Sequence, residues 1–178
     1  PNALTMQSAL SAVIQALAGT LPLSIEAHEG AVAYVPALAK ALGERLRSLV
    51  LHRPWLLSAD ECACFLRQLP APDIQRGGGH LGDAWQWERE RHLMWPWLPP
   101  SSRSRRLVAA RDPQWLHGNT VELLRLGARL HALFADVAVP GLADALMQLK
   151  LPMRIVTSAE DDYDGRAGAL QARIQGHE

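Results

Sequence analysis

The chain has 178 residues, 48% of them apolar and 20% charged, with 18 basic side chains against 18 acidic ones. A chain of about 150 residues or more buries roughly two-thirds of its unfolded surface, so one domain can hold a core without disulfide or metal staples. Zero formal net charge gives no global pull toward nucleic acid or an anionic membrane, and Cys62 and Cys64, with no third cysteine in the chain, argue against a disulfide framework and for a reducing compartment.

No stretch reaches the ~18 uninterrupted apolar residues of a membrane span. No internal repeat and no signal-peptide pattern is present. The first residue is Pro1 rather than Met, so the true start is expected upstream. Ala3 to Ala18 reads as a helix, with Leu10, Val13, Ile14 and Leu17 at three- and four-residue spacing, ended by Gly19 and Pro22. Residues 20–35 read as a loop with room for a short extended piece. Pro36 suits a first helical turn, and Leu38, Leu42, Leu46 and Leu49 then form one stripe, with Lys40, Glu44 and Arg47 opposite, up to Pro54. Ser58 and Glu61 have the spacing of a capping box for a short helix through Leu69. Residues 70–82, with three consecutive glycines, form the best candidate for a mobile loop.

Asp83 can cap a helix to about Trp95, and Ser102 can start a short basic helix to Ala110. Asn119 with Glu122 predicts the start of a helix over 120–135, buried through Leu123, Leu124, Gly127, Leu130, Leu133 and Phe134. A further helix carries Leu142, Leu146 and Leu149, and Met153 to Thr157 reads as a short strand or extended arm. The count is six or seven helices, with strand alternation nowhere sustained. The expectation is an all-α single compact multi-helix domain over 1–160, with at most one or two short strands, and a tail over 161–178 that is acidic and then Gly/Ala-rich.

No pattern of residues demands catalysis. Cys62 and Cys64 point to different faces of a helix and read as small core residues, not as metal ligands. Seven histidines are scattered, none at four-residue spacing with another on a helix. Gly77 to Gly79 lacks the Gly-Lys-Ser/Thr of a phosphate-binding loop. Leu149 to Asp162 has the outline of a late strand followed by acidic residues, as in an α/β-hydrolase, but no nucleophile elbow accompanies it. No catalytic residue, cofactor site or metal ligand is assigned.

Residues 85–115 are unusual. Trp85, Trp87, Trp95, Trp97 and Trp115 are five of the six tryptophans, and Arg89, Arg91, Arg103, Arg105, Arg106 and Arg111 lie among them. The plainest reading is a tryptophan core beneath a solvated arginine face. A protein-binding surface comes next, because Trp and Arg dominate binding hot spots. Single-stranded nucleic acid ranks last, since no basic isoelectric point or reading module supports it. Lys40, Arg45, Arg47 and Arg53 form a second basic stretch suited to an acidic partner.

Two segments then carry a family resemblance. The first is the leucine-striped helix with a basic end expected from Ala39 to Pro54. The second is Gly127 to Phe134, followed after a gap by Ala145 to Pro152, with its closing Leu-Lys-Leu-Pro. Over roughly residues 37–160 the chain resembles the type III secretion sorting-platform adaptors, the SctK family that includes YscK, PscK, OrgA and MxiK. The resemblance implies a non-enzymatic cytoplasmic protein, peripheral to the inner-membrane secretion apparatus. Such a protein links the cytoplasmic domain of the ring protein SctD to the pods built from SctQ, which hold the SctL stator and its ATPase. It implies no cofactor and no nucleic acid, and it brings no residue signature. The interface candidates therefore rest on composition: Trp85, Trp87, Arg89, Trp95, Trp97, Arg103, Arg105, Arg106, Arg45 and Arg47. The competing expectations are a small helical regulator or nucleic-acid binder using Arg103 to Arg111, and an enzyme of unrecognised fold.

Overall fold

A computed structural model describes residues 3–69, 74–94, 105–106, 108–127, 129–158 and 165–176. Along the chain it runs α1 (Ala3–Ala18), β1 (Leu23–His28), a 3-10 helix (Glu29–Tyr34), α2 (Val35–Leu42), a 3-10 turn (Gly43–Arg45) and β2 (Leu46–His52). There follow α3 (Ala59–Arg67), α4 (Gly79–Leu93), α5 (Pro113–Leu126), α6 (Arg129–Val137), α7 (Leu142–Met147), β3 (Met153–Val156) and α8 (Arg166–Gln175).

The three strands make one sheet in the order β1-β2-β3, parallel at both pairings. The all-α expectation is therefore wrong, and the fold is mixed α/β. β1 and β3 fall where the sequence left room for extended pieces. β2 replaces the second half of the expected leucine-striped helix, for two reasons. Gly43 takes φ +53° and ψ −133°, a conformation that Cβ-bearing residues avoid, and ends α2. Then Leu23 pairs with Leu46 while Ser24 pairs with Ser48, so Arg47 is an extra residue in a β-bulge. The bulge lets Leu46 and Leu49, three apart, bury on the same sheet face, with exposures of 1% each. A three-residue leucine spacing thus mimics a helix.

That face forms the first core. Ala27, Leu46, Leu49, Leu51 and Met153 of the sheet pack with Val35, Ala39 and Leu42 of α2, Leu142 and Leu146 of α7, and Leu170 of α8. Helix α1 lies on α2 and adds Ile14. A second core joins α3, α4, α5 and α6 around four aromatic rings. Phe134 stacks on Trp55 at 6.1 Å and meets Phe65 and Trp87 edge-on at 5.3 and 5.8 Å. Such pairs add about 0.5–1.5 kcal/mol each beyond their buried area.

The two cores meet at Gly30, where a Cβ would lie 3.0 Å from Val137 Cγ2 and 3.3 Å from Trp55. Close by, burial and then the Asp136 carboxylate push the Tyr34 phenol up. They are also tied by Arg166. Its Nη1 donates to Leu56 O at 2.8 Å and to Glu61 Oε2 at 2.6 Å, and its Nη2 donates to Glu61 Oε1 at 2.9 Å. Glu61 is the capping-box acid, as expected, and its Oε2 also accepts the Ser58 amide at 2.7 Å.

The sequence misplaces two further helix starts: α4 begins at Gly79 after Gly78 at φ +74°, so Asp83 lies inside it and 79–82 of the expected loop are helical. Asp112 caps α5 through the Trp115 amide at 2.9 Å with Pro113 at the first turn, and Asn119 lies inside the helix. An aspartate followed by proline is a complete start signal seven residues earlier. Gly127, at φ +50°, then separates α5 from α6. The expected basic helix over 102–110 falls partly outside the described residues. Arg105 itself pairs with Met94 in an antiparallel bridge.

The Arg166 hydrogen bonds, opposed by partial burial and helped by the Ser58 amide, hold the Glu61 carboxyl at about 2, against an ordinary 4.5. A depressed folded-state value means the stabilisation is complete above pH 4.5 and is lost as the pH falls toward 2. Arg166→Ala is expected to lower unfolding stability by about 2 kcal/mol at neutral pH. In denaturant titrations the deficit should shrink steadily below pH 4.5. A deficit independent of pH would show that the pair does not link the cores.

Candidate functional site

The second face of the sheet carries no buried residue. Ser24, Glu26 and His28 of β1 and Arg154 of β3 are exposed on it, and Ser48, Val50 and His52 of β2 are half-buried. Parallel sheets usually have both faces covered, so a polar, open face on one is a departure that calls for a reason. Side chains two apart on a strand share a face, which puts Glu26 beside His28. The register pairs His28 with His52 and Ser24 with Ser48. The Ser24 and Ser48 hydroxyls lie 2.7 Å apart. The His28 and His52 rings stack at 4.4 Å and 6°. Both Nε2 atoms approach one oxygen, Glu26 Oε1, at 3.3 Å from His28 and 2.7 Å from His52.

These residues stand at or near the carboxyl ends of β1 and β2, the end of a parallel sheet where α/β proteins place their sites. The next residue of each strand, Glu29 and Arg53, is the one non-glycine with positive φ after that strand, at +51° and +48°. An L-residue in the left-handed region carries about 1–2 kcal/mol of strain, and a 2.7 Å Glu29–Arg53 ion pair holds the two turns together. Among the described residues, Glu26, His28 and His52 are the set of three whose donor atoms could hold a metal ion. They are hidden in the sequence, because 20–35 reads as loop and 46–52 as helix. The legible signal was Glu-x-His over 26–28, which has meaning only on a strand.

The interface candidates drawn from composition are dispersed. Trp87 is 4% exposed and belongs to the second core. Trp85 is half-buried, its ring 6.5 Å from that of His117. Arg89, Arg105 and Arg47 are exposed. Arg106 is half-buried and donates to His92 O at 3.3 Å, helping to strap the chain across the end of α4. Arg45 donates through Nε to Leu21 O at 3.4 Å. Trp95, Trp97 and Arg103 lie outside the described residues.

The surface that does form in this region centres on Trp115. Its side chain is 37% exposed, the Arg111 guanidinium stands 5.0 Å over its ring, and the His92 ring lies 5.8 Å away. A separate apolar stripe runs along α1 and past its end, where Val13, Leu17 and Leu21 are 54%, 84% and 65% exposed. Cys62 is buried, which pushes its thiol up, and Cys64 accepts a hydrogen bond from Gln68.

Comparison with known proteins returns no family model, no curated protein and no solved structure that matches the chain.

Separating core from surface tryptophan gives a direct check. Trp87→Ala is expected to destabilise the fold by about 3–5 kcal/mol. Trp115→Ala is expected to change stability by about 1 kcal/mol or less. Chemical denaturation followed by far-UV circular dichroism measures both, and equal effects would contradict the assignment.

Proposed function

We propose that the chain is a non-enzymatic adaptor of the SctK kind, cytoplasmic and peripheral to an inner-membrane secretion apparatus. In this reading it joins the cytoplasmic domain of the ring protein SctD to the pod protein SctQ. The observation that carries the reading is the apolar stripe on α1. Val13 and Leu17, at positions i and i+4 of a helix that packs on α2, and Leu21 just past its end stand more than half exposed. This is the pattern by which an amphipathic helix seats in a partner's groove. Loss of that contact with water is worth about 1.5–3 kcal/mol per fully covered aliphatic side chain.

An adaptor needs a second surface, and Trp115 with Arg111 supplies one on the other core. An exposed aromatic ring under a guanidinium suits an acidic, aromatic-tolerant partner face. Exposed Lys40 and Arg47 add positive charge nearer α1. No helix of the described residues is long and apolar enough to cross a membrane, which fits a peripheral component. The resemblance over residues 37–160 supplies the identity of the partners, and the two surfaces supply the means.

Co-purification with the SctD cytoplasmic domain and with SctQ tests the reading. The wild-type chain is expected to capture both. Leu17→Glu should lose one partner and keep the other, and the double change Trp115→Ala, Arg111→Glu should do the reverse. Failure of the folded wild-type chain to capture either partner would remove the proposal.

A further inference from the structure

The open sheet face offers something beyond a docking role. We propose that Glu26, His28 and His52 form a binding site for one divalent transition-metal ion of the zinc class, with a coordination position left open to solvent.

The donor set is right in type. Two imidazoles and one carboxylate suit zinc and its first-row neighbours, whereas calcium and magnesium prefer all-oxygen sets. The geometry is close to formed. Zinc bonds of about 2.0–2.1 Å in a tetrahedron place neighbouring donor atoms about 3.3 Å apart. Here Glu26 Oε1 lies 3.3 Å from His28 Nε2 and 2.7 Å from His52 Nε2, and all three donor atoms fall within 4.8 Å of one another. The rings are stacked nearly parallel, so sharing one ion requires at least one imidazole to turn about its side-chain bonds.

The positions are held by the fold. Glu26 and His28 share a face of one strand, and His52 is the registered neighbour of His28 on the next. The two strands are hydrogen-bonded along their length, and the Glu29–Arg53 pair clasps the turns that follow them. Both Nε2 atoms lie close to one carboxylate oxygen, which already gathers the three donors at one point of the face. A metal ion binds an Nε2 that carries no proton, so each imidazole would keep its N–H on Nδ1.

The surroundings favour a cation. Val50, the registered partner of Glu26, is an apolar wall that offers no competing donor. Of the basic groups on or beside this face, Arg53 is neutralised by Glu29, and Arg154 stands two strands away from Glu26. Glu26 and His28 are 59% and 58% exposed against 25% for His52. Three protein donors on an open face leave the fourth position to water, the arrangement of an exchangeable site and not of a sealed structural one. The site sits at the opposite end of β1 from Leu21, about 17 Å along the strand. It therefore stands independently of the adaptor reading.

The test uses the full chain, free of any affinity tag, titrated with zinc chloride by isothermal calorimetry. One ion per chain is expected to bind. Glu26→Gln, His28→Ala and His52→Ala are each expected to weaken binding about tenfold or more. His131→Ala, an exposed histidine on α6, should leave binding unchanged. Glu26→Gln is nearly isosteric and on the surface, so it keeps the result readable if a histidine variant misfolds, and circular dichroism monitors each fold. Cobalt in place of zinc should give the intense visible absorption of a four-coordinate ion, lost in Glu26→Gln. Absence of saturable binding to the wild type, or binding that all three substitutions leave intact, would overturn the site. Capture of SctD and SctQ should be unaffected by Glu26→Gln, so the two proposals fail separately.

Discussion

The fold depends on one register: β1 lies parallel to β2, with Arg47 bulged out between Leu46 and Ser48. Parallel pairing demands a crossover, and here it is formed by the 3-10 helix, α2 and the turn at Gly43. The bulge then sets the inward residues of β2 to Leu46, Leu49 and Leu51 and aligns them with Leu23, Ile25 and Ala27. Every other feature of the sheet follows from that alignment. The opposite face receives Ser24, Glu26 and His28 against Ser48, Val50 and His52. A slip by one residue would exchange the two faces, burying a carboxylate and two imidazoles and exposing the leucines. The hydrophobic pattern thus fixes where the polar cluster stands, although no residue of the cluster contributes to that pattern.

Much of the local structure was legible. Leucine and alanine content, followed by Gly19 and Pro22, gave the limits of α1. Ser58 and Glu61 gave the capping box, and Trp87 was foreseen under the plainer reading of the tryptophans as core. What failed was non-local. From Leu38 to Leu49 the leucines recur at intervals that a helix and a bulged strand satisfy equally well. The partner that decides between them, β1, lies 24 residues away for Ser24 and Ser48. β3 is further still, beyond α3 to α7. Short-range periodicity contains no information about such partners. The histidine cluster was hidden for the same reason, since Glu26 and His28 become neighbours only once β1 is a strand, and His52 joins them only through the register.

The two cores divide the labour of the molecule. The first is aliphatic and sheet-based, and it presents α1 outward on one side and the polar sheet face elsewhere. The second is aromatic and helical, and its rim carries Trp115 and Arg111. Gly30 lets the layers approach closely, because any side chain there would strike Val137 and Trp55. Arg166 joins the last described helix to the start of α3 through a bidentate pair. A body braced in these two ways can present separate surfaces at a fixed spacing. That is the physical requirement of a connector, and formal neutrality overall leaves local charge to set partner choice.

The strand register is best tested by a cross-link between the two serines that face one another across it. Ser24 and Ser48 are registered partners with hydroxyls 2.7 Å apart, and adjacent strands lie about 4.8 Å apart, within the span a disulfide bridges. Cys64→Ser removes the more accessible natural thiol, and Cys62 is buried. In that background the double change Ser24→Cys, Ser48→Cys is expected to oxidise to an intramolecular disulfide in the folded chain, identified by peptide mass mapping. A folded double variant whose two new thiols both remain free under the same oxidant would mean that β1 and β2 are not paired in this register, and the open polar face would vanish with them.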